Sequence, residues 1–405
     1  MITYGRKRWI LDIQSFVDKY YVERRNTNST KWDLLEERFG DPDLLPIWVA
    51  DMEFKAPEGV IDALTERVQH GAYGYSFIPD SYYETYSSWM EKHFGYKVEK
   101  EWCRPATGVV SALYWFMNCY TEEGDAVIIT PPVYYPFFNV IKELDRKLVT
   151  ADMTDNDGRF ELDFDLFEQQ IEENDVKLFI LCSPHNPAGR VWTEDELEQM
   201  LSICEKHDVL VIADEIHQDF AYGEHKHVPA PVVAGGKYTD RIVLVNAASK
   251  SFNLPGLLHA NIVIENDDLR QQFDNYAGQH IQSEKNILGH IATEAAYETG
   301  EAWLDGLRSV ILSNYDYIKK QFAEHIPEAK VSKLEGTYLP LINLRGFLDP
   351  EDTKAFVQEK CKLAVDYGEW FGEDYEGYIR LNLATHPKFV KEAVNRMVEE
   401  YKKLK

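Results

Sequence analysis

The chain has 405 residues, with 43 Lys and Arg against 69 Asp and Glu and a formal net charge of −26. At 44% apolar and 28% charged residues it has the composition of a folded protein with room for two or three domains, which excludes a disordered chain. So negative a surface repels phosphate backbones and anionic lipid, and no apolar run approaches the ~18 residues of a bilayer span, so neither a nucleic-acid nor a membrane partner is expected.

At the start of the chain Arg6, Lys7 and Arg8 precede a short apolar run, Trp9 to Leu11, which Asp12 ends before it could act as a signal peptide. Asn28-Ser29-Thr30 matches a glycosylation sequon that has no meaning in the cytoplasm, where the protein is expected. The five cysteines, Cys103, Cys119, Cys182, Cys204 and Cys361, lie too far apart for a disulfide framework or a zinc site. Five short β-branched runs follow in the middle of the chain, at 126–130, 178–182, 209–213, 242–245 and 261–264. They do not alternate polar with apolar, as expected of parallel strands covered on both faces. Between the second and third, Thr193 and Glu196 form a capping box, and Leu197, Met200, Leu201 and Cys204 recur at helical spacing.

From about residue 288 helical patterns dominate, with strand-like pieces at 337–344 and 378–383. The fold class expected is α/β: a mostly parallel sheet with helices on both faces, plus a smaller α+β domain. Residues 51–290 would form the large domain, and residues 1–50 with 291–405 the small one.

In an open parallel sheet, ligands bind beyond the carboxyl ends of the strands. The residues placed there are Tyr134 and Tyr135 after the first run and Asn186 after the second. Asp214 follows the third, and Ser249 and Lys250 follow the fourth. Separately, Thr107-Gly108-Val109-Val110-Ser111 opens an apolar helix, whose N-terminus suits a phosphate. An amine, a carboxylate, an amide and an aromatic ring at one sheet edge describe a cradle for pyridoxal phosphate. The lysine forms a Schiff base with the aldehyde, and the carboxylate keeps the pyridine nitrogen protonated.

The segments CSPHNPAGRVW (182–192), ADEIHQD (213–219) and SKSFNLPG (249–256) resemble the three signatures of class I/II aminotransferase-like pyridoxal-phosphate enzymes of fold type I. That resemblance implies a catalytic set of Lys250, Asp214 and Tyr134: Lys250 holds the cofactor and moves the Cα proton, Asp214 pairs with the pyridine nitrogen, and Tyr134 stacks on the ring. It further implies Asn186 at the ring hydroxyl and the amides of Val109 and Val110 at the phosphate, with His217 and Ser249 also lining the cofactor. Arg380, in YIRLN, would grip the substrate carboxylate. Tyr75, in YGYS, would reach the site of a second subunit, which implies a homodimer.

Two departures narrow the branch. Ordinary aminotransferases carry Tyr where this chain has His217, and a phosphate-binding Arg where it has Leu258; Ala247 supplies no hydroxyl either. With LLP-x-W-x-ADMEF (44–54), these features resemble the cystathionine β-lyase or cysteine-S-conjugate β-lyase branch. The function implied is α,β-elimination from cystathionine or a related sulfur amino acid, giving a thiol, pyruvate and ammonia. The rivals are an aminotransferase and a pyridoxal-binding regulator without activity. Trp48 and Phe54 are expected to line the site. His225 and His227 lack further ligands at metal spacing, so no metal is expected.

Overall fold

The computed structural model describes residues 12–280 and 285–405; the basic cluster at Arg6 to Arg8 and the apolar run after it lie outside the described residues. The centre is a seven-stranded sheet. Its strands in chain order are β1 (Cys103–Ala106), β2 (Ala126–Ile129), β3 (Lys147–Thr150), β4 (Val176–Cys182), β5 (Leu210–Asp214), β6 (Ile242–Asn246) and β7 (Ala260–Val263). Their spatial order is β1-β7-β6-β5-β4-β2-β3. From β3 through β2, β4 and β5 to β6 every pairing is parallel.

These strands are apolar throughout because both of their faces are covered. Leu178 and Ile180 of β4 face the helices Val109–Tyr120, Tyr135–Glu143 and Asp267–Gln279, while Phe179 and Leu181 face Phe164–Asn174 and Glu194–Lys206. The expected capping box is present: the Thr193 hydroxyl accepts from the Glu196 N–H, and the Glu196 carboxylate accepts from the Thr193 N–H.

One expectation fails. The run at 261–264 falls on β7, which is antiparallel to both β6 and β1. Only two short helical turns, Ala248–Ser251 and Pro255–Leu257, join β6 to β7. Neither is long enough to carry the chain back to the far end of the sheet, so it returns at the end where it left. The strands β1 and β3 carried no clear signal because they are the two edges. β1 contains Pro105 and β3 begins at an exposed Lys147.

The C-terminal region builds a four-stranded antiparallel sheet from β8 (Lys330–Val331), β9 (Leu341–Asn343), β10 (Asp366–Tyr367) and β11 (Tyr378–Arg380), ordered β8-β9-β11-β10. Ile342 and Ile379 pack against the helices Glu301–His325 and Pro387–Leu404. The N-terminal segment docks on this region. Leu45–Pro46 pairs in parallel with Leu363–Ala364, and Phe16 lies so close to Gly306 that a methyl group there would come within 2.4 Å of its ring. The segment after Leu45–Pro46 then crosses to the carboxyl ends of β5 and β6, where Lys250 donates to the Ala50 carbonyl.

Candidate active site

Three strand ends and one helix start meet around a cavity of about 250 Å³. Asp214 is the last residue of β5, and Asn186 follows β4 in the loop after Cys182. Lys250 sits on the helical turn that starts two residues beyond β6. The helix Val109–Tyr120 begins three residues after β1, and its first bond of the i to i−4 kind is Ala112 N–H to Gly108 O. The N–H groups of Val109, Val110 and Ser111 therefore have no partner within the helix, and these three residues line the cavity.

Burial sets the charges. Asp214 is 3% exposed, and its carboxylate accepts a hydrogen bond from the Ile216 N–H at 3.1 Å. Loss of solvent raises its pKa to about 7, against smaller lowering effects from that hydrogen bond and from Lys250. Lys250 is lowered to about 8, again chiefly by burial, with Arg380 lowering it further while Asp51 and Asp214 raise it. His217 is buried with an unpartnered Nδ1, and burial, Lys250 and Arg380 together hold it well below its usual pKa, so it is neutral.

Beyond Tyr134, Lys250 and Ala50, which line both spaces, lies an outer cavity of about 550 Å³. Arg380 opens onto it from β11. Its Nε and Nη2 both donate to Asp366 Oδ2, and its Nη1 donates to Asn186 Oδ1 at 3.0 Å. Phe371 lies under the guanidinium, 4.8 Å from ring centre to Cζ. Of five N–H groups three are spent, which leaves one on each terminal nitrogen, the spacing that grips a carboxylate with two bonds. Because Asn186 gives its oxygen to Arg380, its NH₂ remains as a donor to a guest in the inner cavity.

The roof is the segment 48–51. The Asn382 amide donates to Val49 O and Asp51 O, both at 2.7 Å, and fixes Val49 at φ 25°, a strained value for a β-branched residue. Tyr338 and Lys250 both donate to Ala50 O, at 3.0 and 2.9 Å.

The structure thus brings together Lys250, Asp214, Asn186, Tyr134, His217, Ser249, Val109 and Val110 around the inner cavity, with Arg380 in the outer one. Leu258 lines the inner cavity too, in a left-handed conformation and half exposed, whereas Ala247 is buried outside it. Tyr75 is not at this chain's site; it stands fully exposed on an irregular segment, where Tyr73 and Phe77 are more than half exposed. Trp48 lines the outer cavity, but Phe54 does not. Its ring packs into the core, 5.3 Å from that of Phe16, because the chain has already turned away from the site towards the first helix. His227 holds Glu215 at 2.8 Å inside the protein.

Sequence reasoning missed Asp366, Arg38 and Asn382. An acidic residue in a strand of the second sheet, an arginine on a five-residue helix and an asparagine beside Arg380 carry no local signal. Only the fold brings Asp366 and Arg38 to the outer cavity and Asn382 to its roof.

The donors match the parts of pyridoxal phosphate one by one: unpaired helix amides for a phosphate, a buried acid for a ring nitrogen, an amide for a hydroxyl and an amine for an aldehyde. A sequence profile of the aminotransferase class I and II family matches residues 51–397. The chain is 35% identical to cystathionine beta-lyase PatB of Bacillus subtilis, over 89% of this chain and 93% of that protein. It is 33% identical to protein MalY of Escherichia coli, over 89% and 92%. Its fold superposes on cystalysin of Treponema denticola, a structure that contains a pyridoxal 5'-phosphate cofactor, with a TM-score of 0.91 at 33% identity, covering 95% of this chain and 98% of that one. The chain belongs to the aminotransferase class I and II family, in its carbon–sulfur lyase branch.

Proposed function

We propose that the protein is a pyridoxal-phosphate-dependent carbon–sulfur β-lyase, which converts a cysteine S-conjugate such as cystathionine and water into a thiol, pyruvate and ammonia. The observation that carries this is the meeting of Lys250, Asp214 and Asn186 in one enclosed space, with the Arg380 fork opening beside it. The lyase name of the Bacillus subtilis relative at 35% identity, together with His217 and Leu258, favours elimination over transamination.

When bound, the cofactor supplies an electron sink for the pair left at the substrate Cα. The protein does the rest. The Val109, Val110 and Ser111 amides would receive the phosphate, and Ser249 lines the same cavity, where Leu258 offers no charge. Asp214, as a carboxylate, would hold a proton on the ring nitrogen, the Asn186 NH₂ would donate to the ring hydroxyl, and Tyr134 would offer its ring to the cofactor. Arg380 fixes the substrate carboxylate and so turns the Cα hydrogen towards Lys250. The Lys250 amine, whose hold on its own proton is weakened by burial, takes that proton. As the Cβ–S bond breaks, sulfur leaves with the bonding pair into the outer cavity and is protonated to the thiol.

In the division we propose, residues 51–290 carry the cofactor cradle, while residues 1–50 and 291–405 supply Trp48, Arg380 and the roof. Two copies would pair through the exposed Tyr73, Tyr75 and Phe77, with Tyr75 entering the partner's site. We place the enzyme in the cytoplasm, in keeping with five unpaired thiols; no described helix is long and apolar enough to cross a membrane.

The test is to follow pyruvate and free thiol from L-cystathionine with and without 2-oxoglutarate. Sustained turnover without the keto acid is expected. Turnover that stops after one equivalent and resumes only when 2-oxoglutarate is added would identify an aminotransferase instead.

A further inference from the structure

The outer cavity holds a cation that the chemistry above leaves unused. Arg38, on the helix Leu35–Phe39, lines the same space as Lys250, Tyr134 and Arg380. The other described arginines each meet a carboxylate, a carbonyl or an aromatic ring. The Arg38 guanidinium has no partner among the described residues, in a chain with 69 acidic side chains. Arg38, Arg380 and Tyr135 line the same cavity, and both cations lower a Tyr135 pKa that burial raises.

A planar fork left unpaired at the mouth of a cavity suits a carboxylate on a guest. Arg380 already accounts for the substrate's α-carboxylate. A cavity of about 550 Å³ also has room for more than a cysteine side chain. We propose that Arg38 binds a second carboxylate, carried on the far side of the substrate's sulfur. It thereby selects cysteine S-conjugates whose leaving thiol is itself an acid, the class to which cystathionine and cystine belong, over conjugates of plain alkyl thiols. The assignment rests on the lyase reading, since it names that site's substrate class.

The experiment compares wild-type holoenzyme with Arg38→Gln and Arg38→Lys, on L-cystathionine and on S-ethyl-L-cysteine, which has no distal charge. For Arg38→Gln, KM for cystathionine should rise about tenfold or more with kcat little changed, while kcat/KM for S-ethyl-L-cysteine stays within about twofold. Arg38→Lys should fall between, because it keeps the charge without the fork. Equal losses on both substrates, or none on either, overturn the assignment. Absence of pyruvate from either substrate with wild-type enzyme would instead sink the lyase reading. Arg38 is then judged by the concentration of each amino acid that half-saturates the holoenzyme's absorbance change. Weakening for cystathionine alone supports it, and parallel weakening overturns it.

Discussion

Arg380 and Asp366 stand directly opposite each other on the antiparallel strands β11 and β10, and this register buries the ion pair that aims the guanidinium into the outer cavity. Both side chains are almost wholly withdrawn from water, at 3% and 4% exposure. Two of the three hydrogen bonds that hold the fork end on a single oxygen, Asp366 Oδ2. Removing it leaves Arg380 tethered only through Asn186.

The first prediction follows from that tether. Asp366→Ala should lower kcat/KM for cystathionine by about 10- to 100-fold, because loss of aim at a reacting centre is costly even where the charge survives. Cofactor content, read from absorbance, should stay at wild-type level, since Asp366 does not line the inner cavity. A variant with normal kcat/KM would show that the fork is aimed by something else.

Lys250 should titrate far below an ordinary lysine. In protein freed of cofactor, competitive acylation followed by mass spectrometry should give a midpoint of about 8 at Lys250, against the ordinary 10.5. The sign for stability follows. The unfolded chain keeps the lysine proton to higher pH, so the cost of burying Lys250 is full below pH 8 and disappears as pH rises to 10.5. A labelling midpoint near 10.5 would mean that the amine is solvated.

Asp214 carries the opposite charge and the opposite trend. Its carboxyl is raised from 3.8 to about 7 in the folded protein. Folding therefore holds its proton more tightly than the unfolded chain does, and stability of the cofactor-free protein falls as pH rises from about 4 to 7. Asp214→Asn removes that cost. The variant without cofactor should be more stable than the wild type at pH 8, by at most about 4 kcal/mol, with the gain shrinking towards pH 4 in urea titrations. Its lyase activity should be lost. An unchanged pH dependence would place water beside the carboxylate.

Arg190 lies within the segment that resembles a catalytic signature, yet its bonds are structural. It is 1% exposed, donates to Phe160 O at 2.7 Å, holds both Glu196 oxygens at 2.7 Å, and reaches Glu335 Oε2 at 3.1 Å. Glu335 stands just after β8, so Arg190 ties the large sheet's loop to the C-terminal region. Arg190→Ala should cost up to about 3 kcal/mol, because it leaves buried Glu335 and partly buried Glu196 with Arg159 as their remaining ion-pair partner, measured as a shift in the urea midpoint. Molecules that do fold should keep their KM for cystathionine; a raised KM at full stability would move Arg190 into the substrate site.

The chemistry was legible in the sequence because it is local. Asp214 ends an apolar run, Lys250 sits just beyond another, and Gly108 precedes an apolar helix, so strand and helix ends announce which side chains gather at one edge. The parallel core was legible for a related reason: strands covered on both faces cannot afford polar positions, and β2, β4, β5 and β6 have almost none. The edges β1 and β3 and the reversal of β7 left no such mark, since half-solvated strands read like loops and direction depends on the length of the connection. The rest depends on register between distant segments. Asp366 faces Arg380 only because β10 and β11 pair with no offset, Asn382 reaches Val49 across 333 positions of chain, and Arg38 meets the cavity only because Leu45–Pro46 is pinned to Leu363–Ala364. The sequence by itself determined which groups gather at one edge of the sheet. Tertiary packing decided what aims them, and removal from water, which no linear pattern records, lowered the pKa of Lys250 and raised that of Asp214.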